Sequence, residues 1–265
     1  MSVSTMPVEA GLIKRPMFAE VVANRPLTPH LRRITLTGEE LDRFAYEGPD
    51  QLARIFLAPA PGAELHLPHS EQWWPAVQAM PDEVRPIVRN YTVRRLDAAR
   101  RELDIDFVLH GDGGPASAWA YTAAPGDRIG VLSDGAEYAP PVDTDWQLLV
   151  GDETAMPAIT AAVEALPPDA RAIVLLEVGS AEHEIEVRTP VGVTLTWLHR
   201  DGAPAGGSDV VIRTLRELAL PAGTPYAFVA GESTMVTTVR RHLCTDRGIA
   251  KDRVYFCGYW KHTAH

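Results

Sequence analysis

The hydrophobic rhythm of this chain changes once. Up to about residue 135, apolar positions come in short runs, several alternating with polar ones: 17–23, 31–37 (LRRITLT), 53–58 (ARIFLA), 88–94 (VRNYTVR), 102–109 (ELDIDFVL) and 127–132 (DRIGVL). Successive side chains on a strand point to opposite faces, so such alternation predicts half-buried strands. No long helical pattern separates the runs, and six such strands predict an antiparallel barrel or sandwich. A Pro-rich stretch, 59–86, lies between the third and fourth runs and holds Trp73, Trp74 and Met80. Loops of that length inside a compact domain are often functional.

After about residue 140 the runs become continuous: WQLLVG (146–151), RAIVLLEV (171–178), VTLTWLH (193–199), PYAFVAG (225–231) and VYFCGYW (254–260). Unbroken apolar runs of this length fit strands covered on both faces. Helical segments fall between them, in TAMPAITAAVEAL, near 208–219 and from about 233 to 247. Alternating strands and helices predict a mostly parallel sheet with helices on its faces. The expected architecture is therefore β + α/β, an antiparallel barrel over 15–138 followed by an α/β domain over 145–265. The join lies in AEYAPPVDTD (136–145).

Composition narrows the function. At 46% apolar the chain can bury a sizeable core, and 35 Asp+Glu against 25 Lys+Arg argue against nucleic acid as the main partner. The end of the chain runs the other way, with Arg240, Arg241, Arg247, Lys251, Arg253 and Lys261 against Asp246 and Asp252. Such a tail suits an anionic ligand or an ordinary solvated surface equally. Two cysteines, Cys244 and Cys257, are too few for a four-thiolate iron–sulfur cluster or a disulfide scaffold, and are expected as unpaired, buried thiols. No window is apolar enough to span a membrane, and the first residues lack the basic and apolar parts of a secretory leader. A cytoplasmic protein without stable membrane insertion is expected.

Four segments could carry chemistry. In VLHGDGGPASAWA (108–120), Gly111-x-Gly113-x-x-Ala116 has the form of a dinucleotide fingerprint, but the preceding strands are antiparallel in pattern. The segment fits better as a glycine-rich turn feeding a helix N-terminus with Ser117, an anion site for a pyrophosphate. A plain Gly/Pro turn capped by Ser117 fits as well. In Arg89-Asn90-Tyr91-Thr92, Arg89 and Tyr91 share a strand face, which is either an ordinary solvated face or one where a cation holds phosphate and a ring flanks another ring. Gly151-Asp152-Glu153-Thr154 and Gly231-Glu232-Ser233-Thr234 stand where strands meet helices, at strand carboxyl ends. Both also suit helix capping. Gly258-Tyr259-Trp260-Lys261 could stack aromatics on a planar group or pack them in the core. His66-x-x-His69 lacks the company a metal site needs, and there is no nucleophile elbow, Walker A motif or HExxH.

Together RNYTVR (89–94), DFVLHGDGGPASAWA (106–120), LLVGDETAMPAI (148–159), AGEST (230–234) and GYWK (258–261) resemble, in order and spacing, the siderophore-interacting proteins. These are FAD-dependent ferric-siderophore reductases of the ferredoxin-reductase-like superfamily. The resemblance spans about residues 15–262. It implies a Greek-key FAD-binding barrel, then a domain for NADPH or NADH. It also implies that Arg89, Tyr91 and Thr92 contact the flavin and its phosphates, and that His110, Ala116, Ser117 and Trp119 line its pyrophosphate and adenosine side. Asp152, Glu153 and Thr154 would face the flavin–nicotinamide region, with Tyr259 and Trp260 nearby. Arg54, Lys261 and His262 would receive an anionic ferric siderophore. Many members carry Arg where this chain has Ala118. Arg240 and Arg241 are candidates for the extra phosphate of NADPH, and ferredoxin is an alternative donor. The implied protein is a monomer that needs no catalytic side chain and no bound metal, because the flavin carries the chemistry. Alternatives on the same fold are a general flavin or ferredoxin-coupled reductase, or a non-enzymatic flavin or siderophore carrier.

Overall fold

The computed structural model describes residues 14–109 and 114–262. The alternating runs form six strands: β1 (Met17–Thr28), β2 (Leu31–Thr37), β3 (Leu52–Leu57), β4 (Ile87–Asp97), β5 (Glu102–Val108) and β6 (Arg128–Ser133). They close into an antiparallel barrel in the order β1-β2-β5-β4-β3-β6. Closure through the β1–β6 ladder, from Met17↔Val131 to Glu20↔Arg128, decides between barrel and sandwich. Val21, Ile34, Ile55, Val93, Ile105, Phe107 and Val131 fill the interior.

The Pro-rich stretch contains the short helix α1 (Trp73–Gln78) and packs on the outside of the barrel. Trp73 meets Phe56 edge-on at 5.6 Å, and Leu67 lies so close to Gly130 that a Cβ there would approach it to 2.5 Å. This loop therefore builds a small satellite core with Phe56, Val77 and Leu132. After β5, helix α2 (Pro115–Thr122) places Ala116 and Ala120 in the barrel core.

The continuous runs form five parallel strands: β7 (Trp146–Gly151), β8 (Ala172–Val178), β9 (Val193–His199), β10 (Pro225–Glu232) and β11 (Val254–Trp260). Helices α3 (Met156–Glu164), α4 (Val210–Glu217) and α5 (Ser233–Arg241) accompany them. The order β11-β10-β7-β8-β9 reverses direction between β7 and β10. Open α/β sheets bind ligands in the crevice at such a reversal, outside the strand carboxyl ends. The two halves share a core: Leu31 of the barrel is buried with Leu149, Met156, Ile159 and Phe228, and Val108 packs against them. Arg94 of β4 donates to Glu164 of α3 at 2.7 Å across the same junction.

Candidate functional site

A cleft of about 590 Å³ opens between the barrel and the β7–α3 turn and β11 of the α/β half. Its barrel wall is a split in the sheet. β4 pairs with β3 from Ile87 to Thr92, but with β5 only from Val93 onward. The second edge of residues 88–92 thus has no strand partner, and backbone hydrogen-bonding groups are left for a ligand.

Arg89 lines this wall exposed, and its recorded hydrogen bond is to the neighbouring Val88 carbonyl, at 2.8 Å. It has no carboxylate partner among the described residues. Tyr91 lies against Phe107 with ring centroids 4.3 Å apart, and Phe107 in turn meets Trp119 at 5.6 Å. Burial pushes the Tyr91 phenol up to about 12, against the pull of Arg89, so it stays a neutral donor. Thr92 is buried in the β3 ladder opposite Leu52 and also lines the cleft.

At α2 the N-cap is Gly114, with φ of 136°, and Ser117 does not cap the helix. Its buried hydroxyl donates to the Val108 carbonyl at 3.2 Å, fastening α2 to β5. Among the described residues the first intrahelical bond is that of the Ala118 N–H to Gly114, and the N–H groups of Ala116 and Ser117, in the first turn, have no intrahelical partner. Ala118 itself is exposed. His110, expected on this side, lies outside the described residues.

The opposite wall is the α/β half. Thr154 and Pro157 line it from the β7–α3 turn, and Tyr255, Cys257 and Tyr259 line it from β11. Cys257 and Cys244 are free and half-buried rather than fully buried. Behind the wall stands Asp152, 4% exposed. Its carboxylate accepts the Thr154 N–H at 2.9 Å, the Glu232 N–H at 2.7 Å and the Trp260 Nε1–H at 2.9 Å, tying together the ends of β7, β10 and β11. Burial raises its pKa, and the hydrogen bonds from Thr154 and Trp260 oppose that rise. Glu153 points away from the cleft, held at 2.6 and 2.8 Å by the Arg200 guanidinium, which also reaches Glu177 at 3.4 Å. Of the acidic turn, then, Thr154 meets the cleft while Asp152 and Glu153 buttress it. Glu232 works in the same way. It caps α5 by accepting the N–H groups of Thr234 and Met235, and it accepts that of His262. Burial raises its pKa, but these backbone donors outweigh that and leave it lowered.

The three residues expected to receive substrate are not assembled at the cleft. Arg54 is held by Asp134 at 2.6 Å and by Asn90 at 2.6 Å, with its guanidinium 5.5 Å from the Trp73 ring. Lys261 and His262 follow β11, exposed and outside the cleft lining. Arg240 and Arg241 lie in the last turn of α5, which starts at the carboxyl end of β10 and runs back about 10 Å from it. Arg240 stacks on Phe256 at 4.1 Å. Lining carboxylates that motif reading passed over are Asp50, Asp134 and Glu137, while Asp106 opens the 106–120 motif without an assigned role and Cys257 is expected only as a thiol. Asp134 and Glu137 sit in the connection between the halves, and only their Gly-Asp character signalled a turn.

The family model described as siderophore-interacting FAD-binding domain matches residues 20–138, and that described as siderophore-interacting protein matches residues 144–263. The ferric vibriobactin reductase of Vibrio cholerae is 34% identical over 251 residues, 93% of this chain and 89% of its own. This chain belongs to the siderophore-interacting protein family. Another relative, the NADPH-dependent ferric-chelate reductase of Escherichia coli, is 31% identical over 86% of each chain. The crystal structure of a siderophore utilization protein from T. fusca superposes with a TM-score of 0.85 at 35% identity, covering 96% of this chain and 95% of that one. The family's cofactor is FAD, and the residues present fit it. The cleft offers a cation without a carboxylate partner among the described residues, an unpaired strand edge and aromatic rings on both walls, and the first turn of α2, outside that lining, adds N–H groups with no intrahelical partner. A flavin dinucleotide asks for this set: charge for its pyrophosphate, hydrogen bonds for its ring edge and flat apolar walls for its ring face.

Proposed function

We propose that this protein reduces ferric siderophores, with a nicotinamide nucleotide as electron donor and the cleft between its two halves as the reaction site. FAD, when bound, supplies the conversion between a two-electron hydride donor and one-electron delivery to Fe(III). The chain's own residues bind and orient. Arg89 neutralises pyrophosphate charge together with the Ala116 and Ser117 N–H groups, and Trp119 closes the adenosine side. Tyr91 flanks the ring system, and the β4 edge around Thr92 hydrogen-bonds to it. Tyr259, Thr154 and Trp260 form the wall where the donor's nicotinamide approaches, held in place by Asp152, while Glu153 steadies the turn through Arg200. No side chain is asked to move a proton to or from the siderophore. Two carboxylates of the cleft, Asp106 and Asp134, are locked to arginines and are unsuited to that task. Hard oxygen chelators hold Fe(II) far more weakly than Fe(III), so reduction is enough to free the metal.

The observation that carries this reading is the position of the cleft. One wall is the flavin-domain split between β4 and β5, and the other is the carboxyl end of the parallel sheet beside its reversal point. A donor held by Thr154, Tyr259 and Trp260 would face a flavin held by Arg89, Tyr91 and Thr92 across the cleft. Steady-state assay of the FAD-loaded protein with NADH or NADPH, a ferric siderophore and an Fe(II) trap should give trapped iron that requires protein, flavin and nucleotide together. Nucleotide oxidation that proceeds at the same rate without the ferric siderophore, with no iron trapped, would instead mark a general flavin reductase.

A further inference from the structure

The charge lining the cleft names the class of siderophore, on the assumption that the reading above holds. Among the described residues, the lining carries four carboxylates, Asp50, Asp106, Asp134 and Glu137, against a single cation, Arg89. Two of the carboxylates are neutralised. Arg33 donates to both oxygens of Asp106 at 2.6 and 2.7 Å, with Arg94 a further 3.8 Å away, and Arg54 holds Asp134 at 2.6 Å. Asp50 has no cation within ion-pair distance. Its oxygens accept the backbone N–H groups of Glu137 and Tyr138 at 3.1 and 3.0 Å. Glu137 has no ion-pair partner among the described residues. The uncompensated set is therefore two carboxylates and one guanidinium. The cofactor then brings a pyrophosphate that engages Arg89 and adds negative charge of its own.

The surplus in the loaded cleft is negative, and walls of low dielectric focus it on whatever enters. Arg54, which the family resemblance assigns to an anionic chelate, is outside the lining and already taken up by Asp134 and Asn90. Ferric chelates differ in charge by their donor chemistry. Three catecholates leave the iron complex a trianion, whereas three hydroxamates balance Fe(III) and leave a neutral centre, which a spare ammonium makes cationic. We propose that this protein selects neutral or cationic ferric trihydroxamates over trianionic ferric tricatecholates, and that Glu137 and Asp50 set the preference.

The test is a pair of binding titrations on the FAD-loaded protein, followed by quenching of its intrinsic fluorescence. Ferrioxamine B serves as the cationic trihydroxamate and ferric enterobactin as the trianionic tricatecholate. The expected result is binding of the cation tighter by about tenfold or more at low salt, with the gap narrowing in about 0.5 M salt. Glu137→Lys should shrink the gap several-fold and Glu137→Gln by a smaller factor in the same direction, with flavin content unchanged. If Glu137→Lys loses flavin, the Glu137→Gln comparison stands in its place. Equal or tighter binding of the trianion by the unaltered protein overturns the proposal, as does a gap that neither variant moves. Failure of both chelates to bind, with flavin still in place, overturns the ferric-siderophore reading itself and this inference with it.

Discussion

Two charged residues of the site illustrate opposite uses of a side chain. Asp152 aims its carboxylate at the chain itself, accepting from Thr154, Glu232 and Trp260 while almost wholly buried. Removing it leaves buried donors unmatched, which costs about 3–5 kcal/mol for a network of this kind. Asp152→Ala should therefore lower the melting temperature of the apoprotein by roughly 10 °C, read by circular dichroism. Arg89 has no such internal duty, since it is exposed and bonded to its neighbour's carbonyl. Arg89→Ala should leave the apoprotein melting within about 2 °C of the parent, while weakening FAD binding about tenfold or more, measured by flavin fluorescence. A large melting shift for Arg89→Ala, or unchanged flavin affinity, would remove its assignment to the pyrophosphate. Gly231 belongs with Asp152. Its φ of 134° disfavours any side chain, and a Cβ there would lie 2.7 Å from the Asp152 carboxylate.

At the scale of elements, the strands were legible because their apolar periods are strong, and every expected strand lies within a few residues of an observed one. β2 matches its expected range, while β1 runs five residues further, through Pro26, where a register shift between Pro26 and Thr28 accommodates the ring. Pairing was not legible. Arg54 stands opposite Asn90 on β4 and Leu132 on β6, a register that brings Asp134 within reach and removes Arg54 from the substrate's share of charge. Glu153 and Arg200 are 47 positions apart, and only the adjacency of β7, β8 and β9 joins them with Glu177. That cluster has a pH signature. Burial pushes Glu177 up to about 7, with Arg200 pulling the other way. Folded protein thus holds the Glu177 proton more tightly than the unfolded chain does. Stability from this group is present in acid and declines as pH rises from the ordinary carboxylate range through about 7. Glu177→Gln carries no such dependence. Its unfolding free energy relative to the parent should therefore rise between about pH 5 and pH 8, by roughly 2–3 kcal/mol in denaturant titrations. A difference that stays flat or falls contradicts the assignment.

The whole molecule is two architectures fused through one core. Leu31 and Val108 from the barrel pack with Met156, Ile159 and Phe228 of the α/β half, and the Arg94–Glu164 pair lies over the same seam. Such sharing predicts a single calorimetric unfolding transition for both halves. Leu31→Ala, which opens a cavity at the seam, should lower it by about 2–5 kcal/mol without splitting it. Two resolved transitions in the parent protein would mean that the seam contributes little. Among the described residues no helix is long and apolar enough to cross a membrane. The functional consequence of the seam is placement: the open edge of β4 faces the β7–α3 turn and the carboxyl end of β11 across one cleft.

The most direct test of that placement is an anaerobic single turnover. FAD-loaded protein is mixed with NADH or NADPH, the flavin absorbance is followed, and a ferric trihydroxamate is then added with an Fe(II) trap. The account predicts bleaching by at least one nucleotide, then return of the flavin absorbance in step with trapped iron, at about two irons per nucleotide oxidised. Flavin that bleaches but does not recover when the ferric siderophore is added, with no Fe(II) trapped, would contradict it.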